Sequence, residues 1–262
     1  MAEEERKVKF SVAIKSDKYK DLINNTLGDP AVAKRFVAEI STVVGNNSKL
    51  QECDAKTIIS AGLLAQSVNL PLAPTLGFCY IIPYGGKATF QIGWKGLVQL
   101  AIRTNAYKSL GVNVVNNGEY LGRDKFGEPI VKYNAECDNK EIVGYHAYFE
   151  LTNGFIKEIY WTKEMCEAHA KRYSTEYKSK GTGKWAEMFD DMAMKTVIKQ
   201  LISKWGIMST ELMTAVKADQ AVINGKDDYD YIDNEKEIDD RKTDVDNEIN
   251  DVEEEEDDGR NS

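Results

Sequence analysis

Between Phe78 and Arg103 the hydrophobic period of the chain changes from that of strands to that of a helix without an intervening loop. Phe78-Cys79-Tyr80-Ile81-Ile82 and Ala88-Thr89-Phe90-Gln91-Ile92 are β-rich runs joined through Pro83-Tyr84-Gly85-Gly86, the composition of a hairpin turn. Directly after Gly93, the stretch Trp94–Arg103 puts Leu97, Val98, Leu100, Ala101 and Ile102 on one broad helical face and Lys95, Gln99 and Arg103 on the other. A hairpin that runs straight into an amphipathic helix commits the chain to a mixed fold.

The flanks extend this pattern. Asp29-Pro30 opens a helix that would bury Val32, Phe36, Val37, Ile40, Val43 and Val44, and Asp54 caps a second helix to about Val68. Gly111–Val115 and Ile130–Tyr133 are short strand candidates, while Ile142–Leu151 and Phe155–Trp161 flank Asn153-Gly154, a strong hairpin signal. Thr162 caps a further helix, Tyr177–Lys184 reads as a glycine-containing basic loop, and helices are expected from about Trp185 to Trp205 and from about Ser209 to Ile223. The expected class is α+β: a central antiparallel β-sheet with hairpins, flanked by helices.

The formal net charge of −9 speaks against nucleic acid as a partner until it is located. Residues 226–262 hold 18 acidic and 5 basic side chains, whereas residues 1–225 hold 25 acidic and 29 basic. The expected organisation is therefore a mildly basic domain, 1–225, followed by a disordered acidic tail, 226–262, because like charges at that density cannot bury enough surface to fold. No apolar run approaches the roughly 18 residues of a membrane span, and Met1-Ala2-Glu3-Glu4-Glu5 lacks the order of a signal peptide, so a cytoplasmic protein is expected. Cys53, Cys79, Cys137 and Cys166 lie far apart, and His146 and His169 are the only histidines, which suggests reduced core thiols and no zinc module.

Enzyme chemistry finds little support. Gly86-Lys87 is followed by Ala88 and Gly183-Lys184 by Trp185, so neither pair supplies the hydroxyl of a phosphate loop, and neither has the upstream glycine. Glu187, Asp190 and Asp191 sit at the start of an expected helix, where negative charge favours the dipole. A metal-dependent nuclease, with Glu119 and Asp124 as candidate ligands, stands as the alternative to a binding protein.

Binding chemistry is better represented. From residue 55 to residue 118 there is no carboxylate, while Lys56, Lys87, Lys95, Arg103 and Lys108 fall in that interval. A second basic stretch carries Arg172, Lys178, Lys180, Lys184, Lys195, Lys199 and Lys204, interleaved with Tyr173, Tyr177 and Trp185. Cations neutralise phosphates and aromatic planes stack unpaired bases, the combination that single-stranded nucleic acid requires. Lys87, Lys95, Arg103, Lys108, Arg172, Lys178, Lys180, Lys195 and Lys199 are thus the expected phosphate contacts, with Tyr107 and Tyr173 as stacking candidates. Trp185, Trp205 and Met188 read as core.

Pro74-Thr75-Leu76-Gly77-Phe78-Cys79-Tyr80-Ile81-Ile82-Pro83-Tyr84, followed by Phe90-Gln91-Ile92-Gly93-Trp94-Lys95-Gly96-Leu97 and Tyr107, strongly resembles the central signature of the RecT family of phage single-strand annealing proteins. The likeness continues through Gly144-Tyr145-His146-Ala147-Tyr148, Arg172-Tyr173-Ser174 and Met192-Ala193-Met194-Lys195 and covers roughly residues 25–220. The resemblance implies a recombinase, not an enzyme with a catalytic centre, that coats single-stranded DNA and anneals it to a complementary strand. It implies no ATP and no required cofactor, with Mg2+ as a modulator at most. It also implies rings or helical filaments of a homo-oligomer, a phage exonuclease and the host single-strand-binding protein as partners, and a sheet-and-helix core shared with Redβ and a eukaryotic annealing protein. The tail is left with three readings: it competes with DNA for the groove, recruits a partner, or only solubilises.

Overall fold

A computed structural model describes residues 9–134, 141–225 and 228–231. In chain order the elements are α1 (Phe10–Ala13), α2 (Asp17–Leu27), α3 (Pro30–Gly45), α4 (Ser48–Gln51), α5 (Ala55–Ser67), β1 (Cys79–Tyr84), β2 (Lys87–Ile92), α6 (Trp94–Ile102) and β3 (Tyr107–Asn116). There follow β4 (Tyr120–Arg123), β5 (Pro129–Val131), β6 (Ile142–Leu151), β7 (Ile156–Thr162), α7 (Lys163–Tyr173), α8 (Thr175–Lys180), α9 (Lys184–Glu187), α10 (Phe189–Trp205), α11 (Thr210–Lys217), β8 (Ala221–Gly225) and β9 (Asp228–Tyr231). The class is α+β, as expected.

Local chemistry accounts for most boundaries. Asp29 accepts the Ala31 and Val32 amides and Pro30 begins α3, which buries Ala33, Phe36, Ile40 and Val44. Asp54 accepts the Lys56 amide at 2.9 Å to start α5. Gly62 lets α3 come close to α5: a Cβ there would lie 2.6 Å from Ile40 Cδ1. At the β1–β2 turn Gly85 and Gly86 have φ of 54° and 78°, the positive values a two-residue type I′ hairpin demands. The β6–β7 hairpin turns at Asn153-Gly154, with the Phe155 amide donating to Asn153 Oδ1.

The strands form sheets in the orders β1-β2-β8-β9, β3-β6-β7 and β4-β5. Helix α5 covers the first sheet through β2 and β8, while α10 crosses β6, β3 and β7 and also packs on α6, which itself meets β3. Val197, Ile198, Leu201 and Ile202 of α10 are fully buried, each contributing roughly 1.5–3 kcal/mol relative to exposure. Cys53, Cys79 and Cys166 are buried free thiols, and burial pushes Cys79 and Cys166 up to about 12; Cys137 lies outside the described residues. In the β3-β6-β7 sheet, buried His146 sits between Tyr133 and Glu158. The Glu158 carboxylate can only accept, so Nε2 carries the ring proton and the Tyr133 hydroxyl donates to Nδ1.

Several expectations need correction. The long helix from Trp185 is broken at Met188 (φ −141°, ψ 55°) into α9 and α10. The basic loop contains a short helix, α8, closed by Gly181 in the left-handed region. The last helix stops at Lys217, because Gln220 turns to φ 66° and its amide donates to Phe90 O at 2.8 Å, placing the β-branched Val222 and Ile223 in a strand beside β2. Strand β9 then pairs back on β8, from Asp228 to Tyr231. The segment 232–262, most of the expected tail, lies outside the described residues. Among the described residues no helix is long and apolar enough to cross a membrane.

Candidate nucleic-acid interface

A cleft of about 120 Å³ opens where the β1–β2 hairpin faces α7, α9 and α10. Strand alternation places Ile82, Tyr84, Thr89 and Gln91 on its wall, while Ile81, Ala88, Phe90 and Ile92 point into the core. Lys87 shares the Thr89–Gln91 side by the same alternation and stands exposed at the hairpin tip. The opposite wall is a helical stripe, Met192, Lys195, Thr196 and Lys199, at the spacing that keeps one face of α10 aligned. His169 and Tyr173 of α7, Glu176 of α8, and Lys184 and Trp185 of α9 also line it.

Its rings form a connected cluster: His169 lies 4.5 Å from Tyr173, 5.7 Å from Trp161 and 6.0 Å from Trp185, centroid to centroid. The Arg172 guanidinium lies 5.3 Å over the Tyr173 ring at the rim. At the floor, Asp219 Oδ1 accepts Lys195 Nζ at 2.8 Å and the Ile92 amide at 3.1 Å, while Oδ2 accepts Lys199 Nζ at 3.1 Å. Burial pushes the Asp219 carboxyl up, but the two ammoniums and their hydrogen bonds outweigh it and hold the pKa below the usual value. Lys195 and Lys199 thus share the Asp219 carboxylate. Lys184 pairs with Glu187 at 2.6 Å on the same short helix.

The expected site residues divide into two groups. The cleft or its rim holds Lys195, Lys199, Tyr173 and Arg172, with Lys87 at the hairpin tip and Lys178 and Lys180 exposed on α8, the helix that follows α7. Lys195 and Lys199 are not open phosphate contacts, however: their ammoniums are held by Asp219. The remaining four do not line the cleft. Lys95 is exposed on the first turn of α6, 5.5 Å over the Trp94 ring, whose Nε1 donates to Asp191. Arg103 donates to the Val68 and Asn69 carbonyls at 3.1 and 3.0 Å, closing the C-terminal end of α5. Lys108 pairs with Glu150 of the neighbouring strand at 2.7 Å. Tyr107 is 9% exposed, donates to Ile207 O at 2.8 Å and meets Phe149 edge-on, which makes it a core residue rather than a stacking surface. Trp185 is buried as expected, whereas Trp205 and Met188 are exposed.

The acidic candidates are structural. Glu119 is buried and accepts the amides of Asn116 and Asn134 and the Asn116 side chain; the Asn116 amide bond is the main cause that holds its pKa down. Asp124 accepts the Phe126 and Glu128 amides of its own turn. Asp190 accepts the Tyr145 hydroxyl, and Glu187 and Asp191 are engaged as above. Among the described residues no three His, Cys, Asp or Glu side chains converge to hold a metal ion. The sequence reading missed Tyr84, His169 and Asp219. Tyr84 could have been found from its two-residue spacing to Ile82, and Asp219 from its place as a lone acid in the apolar stretch Ala218–Val222.

Known proteins resemble this chain over most of its length. It is 41% identical over 184 residues to the uncharacterized protein YqaK of Bacillus subtilis, a match covering 70% of this chain and 63% of that protein. It is 26% identical over 226 residues to Protein RecT of Escherichia coli, covering 78% of this chain and 81% of RecT. The model of the RecT family matches residues 34–245, and the chain belongs to the RecT family.

Proposed function

We propose that this chain binds single-stranded DNA along the cleft between the β1–β2 hairpin and α7–α10 and anneals it to a complementary strand in recombination. The observation that carries this reading is the convergence of Tyr84 from one basic stretch with Tyr173, Trp185, Lys184, Lys195 and Lys199 from the other, around one cleft. Phosphates would be neutralised from the rim by Lys87, Arg172, Lys178 and Lys180. The bases, left unpaired, would offer their edges to the second strand. Sequence is then read by base pairing, and the protein supplies charge, ring planes and order along the strand.

The same reading takes the activity to be independent of ATP and carried by a homo-oligomer, as a ring or helical filament, in the cytoplasm of a phage-infected bacterium. The exonuclease that produces the single strand and the host single-strand-binding protein are the partners such a reaction calls for. Two labelled complementary oligonucleotides, mixed with the protein without nucleotide, test annealing by energy transfer. Arg172→Ala and Lys178→Ala are expected to weaken binding of labelled oligo-dT and to lower its salt slope by about 0.7 for each phosphate no longer neutralised. Unchanged affinity and slope in both variants would remove the cleft from consideration. Cleavage of the strand in Mg2+ or Mn2+ would instead favour the nuclease.

A further inference from the structure

The chain leaves the fold beside the cleft. Asp219 and Gln220 line it, Gln220 bonds to β2 through Phe90 O, and Ala221 begins β8 opposite Phe90. Strand β9 runs back along β8 so that Tyr231 stands across from Ala221. Residues opposed in an antiparallel pair lie about 4.5–5.5 Å apart at Cα, so the chain beyond Tyr231 starts one residue's breadth from the cleft wall. That remaining stretch, 232–262, carries 15 acidic and 4 basic side chains. Lys178 and Lys180 stand exposed on α8, the helix that gives Glu176 to the lining, Arg172 lies over the Tyr173 ring, and the lining holds Lys184, Lys195 and Lys199 together with the acids Glu176 and Asp219. Opposite charge of that density, tethered at the rim, is present at an effective concentration of about millimolar whatever the protein concentration.

We propose that the acidic segment 232–262 docks on this cleft of its own chain and competes there with DNA phosphates. The proposal rests on the reading of the cleft as the DNA site. A single phosphate cannot displace a segment that carries many carboxylates, but a strand that spans several subunits can, because its phosphates act together. DNA binding by the full chain then releases the segment in place of part of the counterion atmosphere, so its salt dependence is shallower than that of the cleft alone.

The test compares three proteins: the full chain, a chain ending at Tyr231 that keeps β8 and β9, and a full chain in which Glu253, Glu254, Glu255 and Glu256 are changed to Gln and Asp257 and Asp258 to Asn. Circular dichroism and thermal midpoints establish that each is folded. Anisotropy of fluorescein-labelled oligo-dT across a salt series should show the shortened chain binding about tenfold tighter or more at low salt, the scale of an intramolecular competitor, with a steeper slope and a gap that closes as salt rises. The neutralised chain should fall between the other two. A synthetic 232–262 peptide added to the shortened chain should weaken its binding. A readout without DNA is zero-length carbodiimide coupling of the full chain, where mass spectrometry should find Lys178, Lys180 or Lys184 joined to carboxylates of 232–262. Equal or weaker DNA binding by the shortened chain, or no such crosslinks, overturns the proposal. If Arg172→Ala and Lys178→Ala weaken oligo-dT binding while shortening changes nothing, the docking fails alone and the DNA site stands. If the crosslinks form but those two variants bind DNA as before, the DNA site has failed instead.

Discussion

Asp219→Asn keeps the shape of the side chain at the cleft floor and removes its charge. The Asp219 side chain is 1% exposed, that of Lys195 6% and that of Lys199 15%. The amide oxygen of Asn can still accept the Ile92 N–H, so the loss falls on the lysines. Lys199 can swing its ammonium to water at small cost. Lys195 sits among the buried residues of α10 and cannot, so it stays buried without the carboxylate that accepts from it. Removing one partner of a buried pair costs about 3–5 kcal/mol, a large part of the roughly 5–15 kcal/mol that holds a typical domain together. Urea unfolding followed by tryptophan fluorescence should show this as a midpoint lowered by about 1–2 M, taking a slope near 3 kcal/mol/M for a chain of this size. Lys199→Ala should cost about 1 kcal/mol or less. Adding Lys195→Met to Asp219→Asn should restore most of the loss, since the buried ammonium that lost its carboxylate is then gone as well. A cost below about 1 kcal/mol for Asp219→Asn, or simple additivity in the double variant, would refute the buried-pair reasoning. The sign with pH follows from the lowered Asp219 pKa. Its contribution is fully present above the unfolded value of about 3.9 and is lost as pH falls through the folded one, so the variant should lose less stability than the parent below about pH 4.

Gly96→Ala should destabilise by about 3 kcal/mol or more in the same urea assay, because its Cβ would stand 2.1 Å from Phe78 O, whereas Gly45→Ala, with nothing within 4 Å, should be neutral within about 1 kcal/mol. Burial pushes the His146 pKa down against the pull of Glu158, so stability should be full above about pH 6.5 and fall as pH drops below it; His146→Gln should flatten the urea midpoint between about pH 7 and 5. Tyr107→Phe should cost about 1 kcal/mol by removing the hydrogen bond to Ile207 O yet leave oligo-dT affinity unchanged, as measured by anisotropy.

The sequence announced features whose chemistry is local. Asp29-Pro30, Asp54 and Thr162 begin helices because a cap and its amides are neighbours, and Gly85-Gly86 and Asn153-Gly154 turn hairpins because the turn residues alone decide the twist. The features it concealed depend on partners far along the chain. The interval 55–118 has no carboxylate of its own, but the fold brings Glu150 to Lys108, Asp191 to Trp94 and Asp219 to the Ile92 amide. Arg103 has the spacing of a solvent-facing cation and is spent on two carbonyls 35 and 34 residues upstream. Lys195 and Lys199 do share a face, as helical spacing dictates, yet that face meets a buried acid. The end of α11 was misplaced because Val222 and Ile223 fit either a helix or a strand until β2 offers an edge.

Gly93 and Gly96 flank Trp94-Lys95 in a segment that looks like a ligand signature, but both glycines answer to the chain itself: added Cβ atoms would lie 2.2 Å from Gly77 O and 2.1 Å from Phe78 O. The loop before β1 and the first turn of α6 are therefore cut to each other like the two halves of a joint. In a chimera with another member of the family, residues 74–102 would have to be exchanged as a single cassette. A junction placed between loop and helix would join surfaces shaped for different neighbours, even if every residue facing the cleft were kept.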